Sequence, residues 1–585
     1  MTDLDDGRES SVGLRVERAI RTAARSGNRL LSGGVARVEV SDDAEREALL
    51  TALGRMGVRL EPDAGVPAEF VFVDGPVSAG SAGHAKGSPD PGRVDTGRVD
   101  AGALAPVVVG LDGGVASDRS PDAAARIAWA RRGMRATARL AEQLADSAAR
   151  EPEARGSRSG AEPGTESVLG SARRPPRIAV SLVLEPKTAA LTLALADAGC
   201  EVALFSAVSE TDPEVAAALA ADGRVAVFAP TGAVSRDAAA RLDAEHAAAI
   251  LDWAPEYLID DGSHLIRLAH TERPSALEHL RAAAEETTSG VRPLHEMAAE
   301  GSLRVPVIAV NDARTKTDFD NLVGTGQSCV LAIADLLDGA DSAGGDRRHD
   351  GYRGVAGTRW AVIGYGPVGV GTARFAAALG ARVTVVERDP VRALSALHDG
   401  FEARRAEEAL PAADVVVSAT GVWHTLDADG FALLRPGTAV AVAGGIDDEL
   451  ALDDLLADGW CPREVGDGLA EWVPPGGDRG PVVLAEGGGV NYTAAEGNPI
   501  EVMDLSFATQ LAALMRLMGG DLAPGVHTLS AEDEDRVARA ALEARGGSAD
   551  PAPLRSRPGG AAQPWAVHRY RAAFLSSIPR TQVDG

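Results

Sequence analysis

The sequence predicts an α/β protein made of two α/β domains preceded by a small αβ unit, and three observations predict it. Strand-length apolar runs alternate with helical patterns between about 175 and 312, a second alternation opens near 355, and a short mixed segment occupies residues 1–75. At 585 residues the chain also exceeds a single core, which rarely passes about 250–300 residues, so several domains are required.

In the N-terminal unit, VERAIRTAA and DDAEREALLTALGRMG have helical spacing, while VARVEV and EFVFVDG read as strands; no role is legible for it. Residues 76–120 and 151–174 are rich in Gly, Ser, Asp and Pro and are expected to be linkers. Between them, residues 121–150 predict one amphipathic helix belonging to the first α/β domain. RIAVSLV, LTLALADAG and CEVALFS then give strand, helix, strand, and VAVFAP, YLIDDG and VPVIAVND continue the alternation, so residues 175–338 should form a parallel sheet with crossover helices. After a Gly/Asp-rich break at 339–350, the second domain is expected over 351–500. The run 501–518 begins helices that return to the first domain by residue 545, and a polar, Pro-rich tail occupies 546–585.

Composition narrows the function. No apolar run approaches the roughly 18–20 residues of a membrane helix, and MTDLDDGRESS lacks the basic start and apolar stretch of a signal peptide, so a cytoplasmic protein is expected. A net charge of −27 opposes nucleic-acid and anionic-membrane partners and favours a small-molecule substrate. Cys200, Cys329 and Cys461 lie too far apart for metal-ligand spacing or a disulfide framework; they are expected to be small buried hydrophobes, and no metal is expected. Of 58 basic residues only Lys86, Lys187 and Lys316 are lysine. Arginine cannot give up its proton at accessible pH, so a retained lysine is a candidate for proton chemistry.

Gly364, Gly366 and Gly369 follow the apolar strand WAVI and open a helix, with Glu387 closing the next strand. This is the context a dinucleotide turn needs: the glycines permit the tight turn, backbone approach to a pyrophosphate, and close helix–strand packing. Phosphates would meet free N–H groups at the helix N-terminus. Glu387 can accept hydrogen bonds from both ribose hydroxyls and would repel a 2′-phosphate, which favours NAD over NADP, although Arg388 and Arg392 nearby soften that preference. DVVVSATG supplies a second strand ending in small residues beneath the nicotinamide half.

Five segments, DDGSHLIRLAH, EETTSGVRPLHEMAAEGSLRVPVIAVND, TKTDFDNLVGTGQS, GYGPVGVGTA and VNYTAAEGNP, occur in an order that resembles the S-adenosylhomocysteine hydrolase (adenosylhomocysteinase) family over roughly 120–545. The resemblance implies a Rossmann NAD-binding domain inserted into an α/β substrate-binding domain, a tightly held NAD, and a homo-oligomer of two or four copies. It assigns the redox apparatus to Lys316, Asp320 and Asn321, with Asp261 and Glu286 lining the substrate pocket. It assigns NAD contacts to Pro367, Val368, Arg392, Thr420, Gly421, Asn491 and Asn321, joined by Thr287, Thr288 and Ser289 from the substrate domain. From the residues themselves, Lys316 beside Asp320 and near a cationic nicotinamide could supply a base of tuned pKa for oxidising a hydroxyl.

The chain departs from the family where histidines are expected: Val183, Gly445 and Asn498 stand in their places. Lys187 replaces a base-facing glutamate and Glu496 a purine-contacting methionine, so Lys187, Thr188, Glu496 and Asn498 are candidate substrate contacts. His264 takes an aspartate position, His424 follows the ATG turn, and the family's C-terminal lysine–tyrosine tail is not recognisable in PWAVHRYRAAFLSSIP. The resulting reading is an NAD-dependent hydrolase that reversibly cleaves the thioether of S-adenosylhomocysteine or a related nucleoside through transient 3′-oxidation. Two others stay open: an oxidoreductase, epimerase or lyase on a different nucleoside or sugar-like substrate, and a catalytically silent NAD-binding regulatory subunit.

Overall fold

Val-rich and Ala-rich runs bounded by glycine form the strands, and they assemble three sheets in a computed structural model that describes residues 2–61, 66–77, 104–155, 174–342, 352–444 and 448–550. In the N-terminal unit, β1 (Val35–Glu39), β2 (Arg59–Leu60), β3 (Phe70–Val73), β4 (Val107–Gly110) and β5 (Val115–Ala116) have the order β2-β1-β3-β4-β5, with only β5 antiparallel. The linker expected at 76–120 therefore gives way by Val107. Its apolar VVVG run completes a buried strand against Phe70–Val73, which composition averaged over the whole stretch conceals. Residues 78–103 lie outside the described residues.

The helix expected at 121–150 is two, Ala123–Gly133 and Arg135–Arg155, and the second runs into the stretch expected as linker. The break falls where Gly133 lets the chain press on Ile500: a Cβ there would sit 2.6 Å from the Ile500 side chain. Asp504 then caps the second helix, accepting from Ala136 N–H at 3.0 Å and Thr137 N–H at 2.7 Å.

The middle sheet is wholly parallel, from β6 (Arg177–Ser181), β7 (Glu201–Phe205), β8 (Val225–Phe228), β9 (Tyr257–Asp260), β10 (Ala282–Glu285), β11 (Pro306–Ala309) and, from the far end of the chain, β20 (Gly525–His527). Its order is β20-β11-β10-β9-β6-β7-β8, so the order reverses at β6. The third sheet uses β12 (Arg359–Ile363), β13 (Arg382–Val386), β14 (Glu402–Ala403), β15 (Val415–Ser418), β16 (Ala439–Val442), β17 (Cys461–Gly466), β18 (Leu469–Val473) and β19 (Val482–Leu484), ordered β14-β13-β12-β15-β16-β19-β18-β17 and reversing at β12. Open α/β sheets hold ligands outside the carboxyl ends of strands at such reversals. Helix Thr325–Ser342 carries the chain out of the middle sheet, and helix Ile500–Met518 brings it back to bury its length against Arg135–Arg155.

The N-terminal unit is not tethered loosely. Its Val16, Ile20, Leu31, Phe70 and Phe72 share one hydrophobic core with Cys329–Ala334 and with the third sheet. Cys329 is buried as expected, Cys200 partly so, but Cys461 is exposed because it starts the edge strand of the third sheet. No helix of the described residues is long and apolar enough to cross a membrane.

Candidate active site

The carboxyl ends of β6 and β9 face those of β12 and β15 across one cavity of about 660 Å³. Of the residues singled out above, Lys316, Asp320, Asn321, Asp261, Glu286, Thr188 and Asn498 line it, with Thr287, Thr288, Ser289, Gly364, Gly366, Pro367, Val368, Glu387, Arg392, Thr420, Gly421 and Asn491. Residues more than three hundred apart in sequence, such as Thr188 and Asn498, converge here because both sheets reverse order at this point.

The turn after β12 has the shape a dinucleotide needs. Gly364 adopts φ +94°, and Gly366 ends as the N-terminal flank of helix Pro367–Ala378 with no side chain capping its amides. Gly369 does not line the cavity; a Cβ on it would lie 2.0 Å from the Gly364 carbonyl, so its absence lets helix and strand touch. Glu387 accepts from Tyr365 N–H at 2.6 Å and Asp389 N–H at 2.9 Å, which fixes its carboxylate at the cavity edge beside Arg388 and Arg392. Opposite, buried Glu449 accepts from Gly421 N–H (3.0 Å) and Thr420 Oγ1 (3.1 Å) and so shapes the loop after β15; no motif in the sequence pointed to it. Asn491 Oδ1 is buried without a partner at the cavity wall, an acceptor left for a bound group. This turn, acidic clamp and unsatisfied amide fit NAD.

The end of the cavity that holds Lys316 is built on an unusual turn. Residues Thr317–Gly324 wind as a π-helix, a form often found at functional sites, which puts Asp320 and Asn321 both within reach of Lys316. Lys316 Nζ donates to Asn321 Oδ1 at 2.6 Å and lies 3.2 Å from Asp320 and 4.0 Å from Glu286. Burial opposes its charge, but Asp320, Glu286 and Asp261 outweigh burial and hold its pKa above the ordinary lysine value. In this state Lys316 is therefore an ammonium, not the ready base that its scarcity suggested. Burial lifts Glu286 to about 7, against the pull of Lys316, and its Oε1 accepts no hydrogen bond while Gln510 holds Oε2. Burial likewise raises Asp261.

Asn498, the histidine replacement, holds Asp320 in place. It donates to Asp320 Oδ1 at 2.5 Å and Thr325 Oγ1 at 2.9 Å, and accepts from Ser328 Oγ at 2.6 Å. Ser506 donates to the other Asp320 oxygen at 3.0 Å.

Two expected substrate contacts are turned elsewhere. Lys187 does not line the cavity: its ammonium reaches Glu185 (2.6 Å), the Glu496 carbonyl (2.8 Å) and Asn28 (3.0 Å). The Glu496 side chain pairs with Arg119 and, at 3.3 Å, with Arg126, since two half-buried guanidiniums offer a carboxylate charged partners outside the cavity. Glu185 and Met503, which the motif comparison passed over, face the cavity instead, beside Val183. His264 is directed to Arg267 (3.2 Å) and lies off the cavity, whereas His424 lines it, stacked on Trp423 with ring centroids 3.4 Å apart. Gly445 lies outside the described residues.

Residues 347–497 match the family described as S-adenosyl-L-homocysteine hydrolase, NAD binding domain. Over 380 residues the chain is 37% identical to an adenosylhomocysteinase of Thermotoga maritima, covering 63% of this chain and 87% of that protein. It is 38% identical over 378 residues to an S-inosyl-L-homocysteine hydrolase of Methanopyrus kandleri, covering 63% and 83%. An adenosylhomocysteinase of Thermococcus kodakarensis is 39% identical over 376 residues, covering 63% and 84%.

Proposed function

Because the chain belongs to the S-adenosylhomocysteine hydrolase family, we propose that it is an NAD-dependent hydrolase that reversibly cleaves a nucleosyl-homocysteine thioether. The observation that carries this reading is the convergence of Lys316, Asp320, Asn321, Glu286 and Asp261 on the cavity that the Gly364–Gly369 turn opens into.

When bound, NAD supplies a hydride acceptor and a positive ring whose charge favours the neutral form of a neighbouring amine. Gly364, Gly366 and the amides after Pro367 would hold its phosphates, Glu387 its ribose, and Thr287, Thr288, Ser289, Thr420, Gly421 and Asn491 its nicotinamide half. Lys316 takes the proton of a ribose hydroxyl. Asn321 orients that amine through its 2.6 Å hydrogen bond, and Asp320, clamped by Asn498 and Ser506, keeps it in place. Glu286, its pKa lifted to about 7 and one oxygen without a hydrogen bond, moves the protons that thiol elimination and water addition require, with Asp261 beside it. On this reading residues 351–500 are the NAD-binding domain, and 175–338 with 501–545 bind substrate. The enzyme is a cytoplasmic homo-oligomer of two or four copies.

Purified protein incubated with S-adenosylhomocysteine, and in parallel with S-inosylhomocysteine, should release homocysteine from at least one. No release from either overturns the reading. Lys316→Ala should lower kcat by about 10²–10⁴-fold, the usual contribution of a positioned acid–base group, with NAD still bound.

A further inference from the structure

Through Asn28 and Lys187 the N-terminal unit is linked to Glu185, a residue of the cavity wall. Asn28 follows helix Thr2–Gly27 in the left-handed region (φ +48°), a conformation asparagine tolerates better than most residues. The turn is pinned to the other end of the protein, because Ile500 N–H donates to the Asn28 carbonyl at 3.0 Å. Its side-chain oxygen accepts from Lys187 Nζ at 3.0 Å, and its amide nitrogen donates to the Glu496 carbonyl at 3.4 Å.

With Glu185 at 2.6 Å and the Glu496 carbonyl at 2.8 Å, Asn28 completes three acceptors for the three ammonium protons of Lys187, a residue 1% exposed. Lys187 is thus fully committed and cannot turn to substrate. Its effect passes to Glu185, which lines the cavity next to Val183 and Thr188 and whose carboxylate also caps the helix starting at Pro186.

We infer that Asn28 is a positioning residue for substrate recognition: it fixes Lys187, and through Lys187 the carboxylate of Glu185, as an acceptor for an N–H group on the nucleobase end of the substrate. The inference rests on the nucleosyl-homocysteine reading above. Burial raises the Glu185 pKa and Lys187 opposes that rise, so loosening Lys187 favours the protonated acid. The other charges facing Glu185 are Glu496, from the segment before helix Ile500–Met518, and Arg119 and Arg126, which neutralise Glu496.

The experiment compares Asn28→Gly, which keeps the left-handed turn and loses only the side chain, with Asn28→Asp, which keeps the acceptor. Each holoprotein is assayed for homocysteine release from S-adenosyl- and S-inosylhomocysteine across pH. Asn28→Gly should raise KM roughly tenfold, the scale of one hydrogen bond to a charged group, with kcat and NAD content close to wild type. The acid limb of its kcat/KM profile should move to higher pH, and Asn28→Asp should restore both. A KM and acid limb unchanged in Asn28→Gly overturn the inference, as does a glycine variant that loses NAD and kcat together, which marks a merely structural turn. No turnover by wild type on either thioether removes the parent reading, and this one with it.

Discussion

Lys316 shows how far one residue can be read from a sequence. Its scarcity among 58 basic residues and its place in TKTDFDN marked it for chemistry, and it does lie at the centre of the polar cluster. Its protonation state was not legible, because Asp320, Glu286 and Asp261 come from three different elements and only their convergence sets the charge balance. Glu286 carries the measurable consequence. Its pKa in the fold, about 7, lies above the ordinary 4.5, so between these values the folded protein holds a proton that the unfolded chain has lost. The stability from this group is complete below about 4.5 and fades as pH rises through 7. Glu286→Gln should therefore be more stable than wild type at pH 8, by at most about 3.5 kcal/mol at roughly 1.4 kcal/mol per pH unit, and no more stable at pH 4.5. Urea unfolding at the two pH values reads the difference.

At the scale of elements, the two halves of the site meet backbone on backbone. A Cβ on Gly371, in the helix that follows the dinucleotide turn, would lie 1.9 Å from the Leu322 carbonyl in the π-helical segment, and one on Gly326 would lie 2.5 Å from Gly371. These glycines set how near Asp320 and Asn321 come to the cofactor turn. Gly371→Ala should force the two elements apart, lowering kcat at least tenfold, since displacements of about 1 Å cost up to 10²-fold, while NAD content falls less; stopped assays with a measurement of bound NAD decide it. Sequence patterning found the strands and the helix opened by Pro367, because a period of two or 3.6 and a glycine turn are local signals. It merged Ala123–Gly133 with Arg135–Arg155, because the break at Gly133 answers to Ile500, some 370 residues away. It passed Val107–Gly110 as linker, because a four-residue strand needs its neighbour to be recognised.

For the whole molecule, the N-terminal unit acts as a clasp. Arg21 pairs with Asp335 and, at 2.5 Å, with Asp338 on the helix leaving the middle sheet, and Glu17 accepts from Val355 N–H (2.7 Å) where the third sheet begins. Gln327 on the same outgoing helix bonds Leu31 N–H at 2.8 Å and the Arg29 carbonyl at 2.9 Å. Buried Arg29 joins Glu69 in the unit, at 2.5 Å, to Glu501 at the start of the returning helix. Burial works against the Glu501 carboxylate, yet Arg29 helps hold its pKa below the ordinary value. Arg29→Met should strip that mostly buried carboxylate of its ion-pair partner, leaving the Leu30 N–H (2.8 Å), and destabilise the protein by about 3–5 kcal/mol, read as a lower denaturant midpoint. A loss below about 1 kcal/mol would mean the clasp contributes little.

The sequence alone determined the α/β class, the NAD turn and the family, because these rest on local periodicity and on ordered motifs whose chemistry travels with the residue types. Only the tertiary structure decided which of the marked residues face the cavity. Lys187 and Glu496 match pocket positions in sequence, yet the N-terminal unit and Arg119 and Arg126 supply them with partners, and Glu185 and Met503 take the wall instead. The physical reason is that a buried charge goes where its partners are, and those partners come from segments that no local pattern connects.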